Sequence, residues 1–311
     1  MSRHVLEPGP GTAIDVFDRD TPPALTVDPG DTVVVRSLDA GGRLERQRTP
    51  GEERPRMFQE RRGHCLTGPI AVRGAEPGQV LAVHVVSLRP DDWGWTDAAG
   101  KDNALTRRLG LADQPPTWLL WDIDADAGTA TNQLGHTVRT APFLGVMGVP
   151  PPEPGPHSTI PPRTVGAGNM DCRELTAGST LYLPITVPDA LLHLGDGHAA
   201  QGDGEVAGTA IECPMTTEVV LDLLTDPPIP GVHAVTPTGR ITFGFDPDLD
   251  IAMADALDAM LCWMQDLYKL EKGSALALAS SVVDLRITQV ANVTWGVHAV
   301  LAHDAVRITG T

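Results

Sequence analysis

The chain has 311 residues, of which 41% are hydrophobic, and it carries 32 glycines, 28 prolines and a formal charge of −17. This composition predicts a soluble globular protein with a sizeable core and many turns, and it excludes a disordered one. The acidic balance argues against partners such as nucleic acid or anionic membranes, which require concentrated lysine and arginine. There is no run of about 18 apolar residues and no signal-peptide-like N-terminus, so we expect a cytoplasmic protein.

Residues 1–150 are predicted to be rich in β-strands. Runs of β-branched and aromatic residues alternate with turns that contain proline and glycine, and these runs are Thr32–Val35, Val80–Val86 and Trp118–Trp121. The proline-rich stretch 148–162 cannot hold a regular ladder because proline lacks a donor N–H. We therefore predict a traversing loop or lid over that stretch.

The remaining parts, residues 151–230 and 231–311, are predicted to mix strands with helices. Strands are expected at Thr180–Val187, Thr217–Leu224 and Val282–Val290, and helices from near Asp248 to before Gly273 and over Ser274–Ser281. The three parts together are expected to form one compact unit.

Residues 193–212 are the most informative segment, because four carboxylates and two imidazoles lie in a glycine-rich stretch. Asp196 and His198 are two residues apart, so in an extended backbone their side chains point to the same face, as two ligands of one ion must. Turns in which aspartate caps its own backbone are the alternative. Strands on both sides place this segment at strand ends.

The four cysteines favour a structural role. Cys65, Cys172, Cys213 and Cys262 are widely separated, and no Cys-x-x-Cys motif occurs. This spacing argues against a zinc ribbon and against a dense disulfide framework. We interpret them mostly as buried thiols.

Several ordered blocks resemble the acetamidase/formamidase family. They are Leu66-Thr67-Gly68-Pro69-Ile70, Gly74–Gly78, Gly168-Asn169-Met170-Asp171, Leu175–Pro184, Gly195–Val206 and Val283–Val290. The resemblance implies a hydrolase that cleaves short aliphatic amides such as formamide or acetamide to a carboxylate and ammonia. It also implies a mainly β fold, a β-sandwich with a smaller mixed α/β C-terminal portion, and no role for a cysteine nucleophile.

Amide hydrolysis requires a nucleophile at neutral pH, a stabilised oxyanion and a proton for the amine. A divalent metal supplies the first two, and the histidines favour zinc, with calcium as the alternative. We predict a site in three groups: metal ligands Asp171, Asp196, His198, Glu205 and His64; catalytic residues Glu212, Asn169 and Asp171; and substrate contacts Trp93, Trp95 and Gly168. Glu212 is expected to act either as a metal ligand or as the general base. Asn169 is expected either to donate a hydrogen bond to the oxyanion or to be a turn residue.

Other readings remain open at this stage. Asp39 is a further candidate for the site, and the arginine-rich segment 43–62 is either a flap that favours a substrate with a carboxylate or a solvated, salt-bridged loop. The same site could open a γ-lactam, or the protein could be a degenerate metal-containing binding protein. The expected partner is a small neutral amide, and a homodimer or homotetramer fits an acidic sandwich.

Overall fold

Most of the chain folds into strands, which lie in two large sheets. The structure is a computed structural model that describes residues 1–98, 100 and 102–308. In its first half the elements are β1 (Arg3–Leu6), β2 (Ala13–Ile14), β3 (Val16–Phe17), β4 (Leu25–Val27), β5 (Thr32–Ser37), β6 (Leu66–Val72), β7 (Val80–Pro90), β8 (Trp93–Ala98), α1 (Ala104–Leu109), β9 (Thr117–Asp124), β10 (Thr129–Asn132), β11 (Thr137–Arg139) and β12 (Phe143–Gly148).

The second half adds shorter strands and the long helices. These elements are β13 (His157–Ser158), β14 (Ala167–Asn169), β15 (Thr180–Pro184), β16 (Leu192–His198), β17 (Glu212–Cys213), β18 (Met215–Leu224), β19 (His233–Val235), β20 (Gly239–Asp246), α2 (Leu249–Tyr268), α3 (Lys272–Val282), β21 (Val283–Gln289) and β22 (Trp295–Ala302).

The two sheets enclose one apolar core. The nine-stranded sheet has the order β1-β5-β18-β7-β15-β19-β20-β22-β21, and the eleven-stranded sheet runs β11-β10-β9-β8-β17-β16-β12-β14, with β6, β2 and β4 attached beside β16. Buried side chains from both sheets, such as Val83 and Leu144, belong to the same core cluster. The nine-stranded sheet takes strands from all three parts distinguished in the sequence.

The C-terminal part adds a helical layer. Helix α2 begins after Asp248, whose side chain accepts a hydrogen bond from the Asp250 N–H. Its buried face packs with α3 and β22 in a second apolar cluster. Lys269 adopts a left-handed backbone with φ of 54° and ends α2 there, so the helix is shorter than the run to Gly273 predicted from the sequence. The predicted mainly β fold with a smaller mixed C-terminal portion is confirmed.

The prediction that residues 193–212 lie at strand ends is wrong for its first part. Leu192–His198 is an inner strand of the larger sheet, and all seven of its residues are buried. Gly195 and Gly197 explain how so polar a run fits there: an added Cβ would come within 2.8 Å of Leu66 or 2.6 Å of the Cys213 carbonyl. The glycines thus let neighbouring backbones approach closely.

Cys65, Cys172 and Cys213 are buried thiols, as predicted, whereas Cys262 is exposed on α2. None of the helices in the described residues combines the length and the apolar character that crossing a bilayer requires.

Candidate active site

A cavity of about 320 Å³ collects most of the residues predicted from the sequence. It lies beside β8, β14, β16 and β17 of the larger sheet. The predicted residues that line it are His64, Trp95, Asn169, Asp171, Asp196, Glu205 and Glu212. His198 is not among the lining residues, but it contacts Asp196 and Glu212 at the buried end of the site.

Strand register brings the central residues into line. His198 on β16 is paired with Glu212 on β17, and Glu212 is paired with Trp95 on β8. Directly paired residues of neighbouring strands point to the same face of a sheet. The three side chains therefore meet on one face although they are far apart in sequence.

Three acidic residues of the cavity have strained backbones. Asp171, Asp196 and Glu205 have φ values of 51°, 60° and 42°. Side chains other than glycine rarely occupy this left-handed region, and such strain concentrates at functional sites. The fold thus holds these carboxylates in an orientation that an ordinary strand or loop would not give.

Gly145 on β12 leaves the space in which these carboxylates meet. A Cβ at this position would lie 2.4 Å from Asp196 Oδ2, 2.6 Å from Asp171 Oδ1 and 2.9 Å from His198 Cε1. Any side chain here would displace the three groups. The sequence analysis missed this residue, because it lies in the apolar run Phe143–Gly148 with no polar neighbour to mark it.

Gln201 fixes the orientation and tautomer of His198. Its Nε2 donates to the Asp171 carbonyl at 2.7 Å, so its Oε1 faces His198 Nδ1 at 3.0 Å. Nδ1 must then carry a proton and donate it, so in the neutral ring Nε2 is the nitrogen that holds the lone pair. That Nε2 lies 3.4 Å from Asp196 Oδ1 and 3.3 Å from Glu212 Oε1. Sequence reasoning missed Gln201 as well.

We call Asp171, Asp196, His198, Glu205 and Glu212 the acid cluster. All five are buried, and Asp171 Oδ1, His198 Nε2 and Glu212 Oε2 have no hydrogen-bond partner among the described residues. Ligand atoms of Asp171, His198 and Glu205 lie within 4.8 Å of one another, and so do those of Asp196, His198 and Glu212. Acceptor atoms converge here on a space that a cation or a proton must fill.

The pKa values of the acid cluster reflect the same excess of acceptor atoms over donors. Burial and repulsion from Asp196 raise the pKa of Asp171 to about 8, and burial and repulsion from Asp171 raise that of Glu205. Burial also raises the pKa of Glu212, against the opposing charge of His198. Burial alone would lower the pKa of His198, but Glu212 and Asp196 raise it well above its usual value.

His64 has a place in the cavity but not in the two ligand groups. Its backbone N–H donates to Thr159 Oγ1 at 2.7 Å, and its Nδ1 lies 3.2 Å from the same oxygen. Burial lowers the pKa of His64, opposed by the charge of Asp196. Within the described residues the two ligand groups contain His198 and not His64, so the ligand role of His64 stays a prediction.

Asp39 holds one wall of the cavity in place. Its Oδ2 accepts from Trp95 Nε1 at 2.6 Å and from Arg43 Nη1 at 2.7 Å. The Arg43 guanidinium stacks over the Trp95 ring, 4.3 Å from its centroid, which is a cation–π contact. Asp39 is therefore saturated by donors and acts as a positioning residue for this wall.

Two of the predicted substrate contacts, Trp93 and Gly168, are not among the residues that line the cavity, so their roles stay predictions. Trp93 is buried in an aromatic cluster with Trp95 and Leu120. Gly168 has a φ of 104°, which lies in a region that favours glycine, so its conformation explains the residue.

Asn169 lines the cavity in an orientation that does not favour the predicted oxyanion donor. Its Nδ2 donates to the Ile160 carbonyl at 2.8 Å, while its Oδ1 is buried and has no partner among the described residues. The acceptor oxygen is thus the available group. The loop between β21 and β22 also reaches the cavity through Ala291 and Asn292, which no sequence pattern had indicated.

Comparison with known proteins connects this geometry to a family. Residues 11–156 and 153–229, more than half of the chain, match the Acetamidase/Formamidase family. The chain belongs to the acetamidase/formamidase family. The resemblance predicted from the sequence blocks is thereby confirmed.

Named members of the family are similar over much of the chain. A formamidase of Methylophilus methylotrophus is 28% identical over 264 residues, covering 67% of this chain and 63% of the relative. An acetamidase of Mycolicibacterium smegmatis is 26% identical, covering 46% of this chain and 49% of the relative. The crystal structure of an acetamidase from Bacillus halodurans has a TM-score of 0.85 and 27% identity, and the match covers 96% of this chain and 97% of that one. The predicted class, a hydrolase of linear amides, agrees with these names.

Proposed function

We propose that this protein is a metal-dependent amidohydrolase that cleaves short aliphatic amides to a carboxylate and ammonia. The observation that carries the proposal is the acid cluster, whose unpartnered acceptor atoms converge at the end of a cavity. The printed names of the relatives, formamidase and acetamidase, support the reaction class.

The residues present fit a divalent ion. Gln201 holds a proton on His198 Nδ1, as the outer hydrogen-bond partners of metal-bound histidines do. Nε2 would therefore be the ligand atom once a bound cation replaces the proton that Glu212 and Asp196 favour on the ring. Oxygen ligands would come from Asp171 and Glu205, which form one group with His198, and from Asp196, which forms the other group with His198 and Glu212. The imidazole favours zinc, and the oxygen-rich remainder makes calcium the alternative.

The residues of the chain divide the remaining work. When bound, a divalent ion lowers the pKa of water and polarises an amide carbonyl. Glu212 keeps Oε2 free while Oε1 accepts from the Ala210 N–H at 2.9 Å. It is thus placed to take a proton and deliver it to the departing amine. Asn169 Oδ1 accepts from the substrate N–H, and Trp95 forms an apolar wall for the acyl group.

A cysteine nucleophile is a poorer explanation. Burial raises the pKa of Cys65 to about 12, and it raises those of Cys172 and Cys213 well above their usual value. A nucleophilic cysteine requires a thiolate near neutral pH. These thiols stay protonated, although two of them adjoin Asp171 and Glu212 in sequence.

The test is ammonia release from formamide, acetamide, propionamide and a γ-lactam, before and after treatment with a chelator. Zinc, calcium or manganese is added back separately, and bound metal is measured in the same samples. We expect release that disappears with the chelator and returns with one ion. Turnover that persists in protein shown to be free of metal would refute the metal-dependent mechanism.

Absence of release with every ion would instead support a binding protein that has lost catalysis. Release from the γ-lactam alone would assign the cyclic-amide alternative. The cytoplasmic location and the homodimer or homotetramer stay predictions, which fractionation and light scattering can test.

A further inference from the structure

The arginine-rich segment 43–62 sends three side chains to the cavity. Arg43, Arg56 and Arg61 line it on the side of this segment, whereas the acid cluster comes from the strand side and its loops. This segment lies outside the described strands. Positive and negative side chains thus line the same cavity in a strongly acidic protein.

Other arginines of the segment are used in ion pairs. Arg46 pairs with Asp122, Arg54 with Glu45 and Glu52, and Arg62 with the buried Asp15. For these residues the structure agrees with the salt-bridged loop considered from the sequence. Their charge is satisfied away from the cavity.

Of the three arginines in the cavity, Arg43 already has a carboxylate partner within the protein. It is buried, bound to Asp39 and stacked on Trp95. Arg56 pairs at 3.2 Å with Glu53, whose side chain is 85% exposed, and its buried Nε has no partner within residues 1–98, 100 and 102–308. Such a surface pair contributes little and is readily exchanged.

Arg61 is the least satisfied of the three. Among the described residues it has no carboxylate partner, and its guanidinium makes one long hydrogen bond, 3.4 Å to the Ala40 carbonyl. Its charge is felt in the site, because it adds to the effect of burial in lowering the pKa of His64. A guanidinium fork with free donors is the arrangement that binds a carboxylate in two parallel hydrogen bonds.

The size of the cavity also favours a substrate larger than formamide or acetamide. A volume of about 320 Å³ falls at the lower end of the roughly 300–1,000 Å³ typical of small-molecule pockets. Formamide and acetamide, with three and four heavy atoms, fill only part of it. The space between the acid cluster and Arg61 is left for a further group on the substrate.

We propose that Arg61, assisted by Arg56, binds a carboxylate at the far end of the substrate, so that the preferred substrates are monoamides of short dicarboxylic acids. The amide end lies at the acid cluster and the free acid at the arginines. This inference rests on the proposed amidase function and names its substrate class. If the arginines only balance the charge of the acid cluster, charged and uncharged amides will be treated alike.

The experiment compares charged amides with uncharged isosteres. Malonamate, succinamate and glutaramate are assayed for ammonia release beside acetamide and beside isosteres in which a branched alkyl group replaces the carboxylate, such as 4-methylpentanamide for succinamate. We expect one charged amide to exceed its isostere at least about tenfold in kcat/KM, the size of a charge-assisted hydrogen bond.

Variants assign that preference to Arg61. In Arg61→Gln the ratio of kcat/KM for the charged amide to that for its isostere should fall about tenfold or more, and Arg61→Lys should keep part of it. Arg48→Gln is the matched control, since Arg48 is exposed in the same segment and does not line the cavity. It should keep the wild-type ratio.

The outcomes separate the two proposals. Hydrolysis of acetamide without any preference for a charged amide overturns the inference and leaves the amidase function intact. A preference that Arg61→Gln leaves unchanged also overturns the role of Arg61. Failure to hydrolyse every amide, charged or uncharged, removes the proposed function itself.

Discussion

Asp171 and Glu174 lie three residues apart, yet their carboxyl groups have opposite surroundings. Burial would raise the pKa of Glu174, but the hydrogen bond and charge of His298 lower it to about 2, with further help from Arg286 at 2.7 Å. The pKa of Asp171 is instead raised to about 8, because repulsion from Asp196 adds to the effect of burial and the charge of His198 offsets them only in part. Burial is common to both, so the partners decide the charge state.

This contrast separates a carboxylate that is paired within the fold, Glu174, from the carboxylates of the acid cluster, which are available to a ligand. Glu174 joins the loop after Asp171 to the β21–β22 hairpin through two cationic or proton-donating side chains. The four carboxylates of the acid cluster instead share one imidazole, that of His198, in the two ligand groups. An arrangement so short of positive charge is costly to fold unless a cation completes it.

The largest effect is expected for Glu212→Gln, which keeps the shape of the side chain but removes its ability to take a proton. Loss of a general base typically costs about 10²–10⁴-fold in rate, so kcat for acetamide should fall by that amount. Because one repelling charge disappears, the metal-free variant should be no less stable to heat than wild type. Glu174→Gln, the same chemical change outside the cavity, should keep most of the turnover; equal losses in both variants would contradict the contrast.

Next in size is Gly145→Ala, which places a methyl group where Asp196, Asp171 and His198 meet. A misplacement of about 1 Å in a site can cost on the order of 100-fold in rate, so we expect acetamide turnover to fall by about that factor and the metal content to fall with it. Ammonia release, metal content of the purified protein and circular dichroism provide the measurement. Gly202→Ala is the control, because a Cβ there meets nothing within 4 Å; normal metal content in Gly145→Ala would show that the ion lies elsewhere.

Gln201→Ala should have a smaller effect, since it removes no ligand. Without the Oε1 acceptor, His198 is free to turn or to change tautomer. Loss of such outer partners typically costs about 10–100-fold in metal affinity. Titration with zinc against a competing chelator measures it, and an unchanged affinity would mean that the fold alone orients His198.

The smallest effect concerns the paired acid. Glu174→Gln should lower the free energy of unfolding by about 1–3 kcal/mol at neutral pH, as for a hydrogen-bonded charged group. The pKa of Glu174 is depressed in the folded state, so this contribution is present above about pH 4.5 and lost as the pH falls toward 2. Urea unfolding at several pH values should show wild type and variant converging in acid; a constant difference would exclude ionisation as its cause.

The sequence predicted the fold class and the members of the site better than their roles. Asp196, His198 and Glu212 stand out because polar residues cluster among glycines, and pairing in the sheet then brings them together. The same signal misplaced the segment at strand ends, because alternation rules do not anticipate a buried strand that carries charge.

The roles of individual residues could not be predicted where they depend on a hydrogen bond to a distant residue or on the space around the side chain. No local pattern shows that the Asn169 amide group is engaged by Ile160, or that Asp39 is saturated by Trp95 and Arg43. Gly145 and Gln201 are likewise visible only when distant strands and loops are assembled. Such features are properties of tertiary contacts, which a single sequence does not specify.

The pairing of His198 with Glu212, and of Glu212 with Trp95, makes part of the site intolerant of changes in chain length. Side chains alternate between faces, so deleting one residue from β16 or β17 would turn every later side chain of that strand to the opposite face. The segment 43–62 has no such constraint, because it lies outside the described strands. A change of length between Arg43 and Arg61 would thus alter the arginines at the cavity without disturbing the register of β16 and β17.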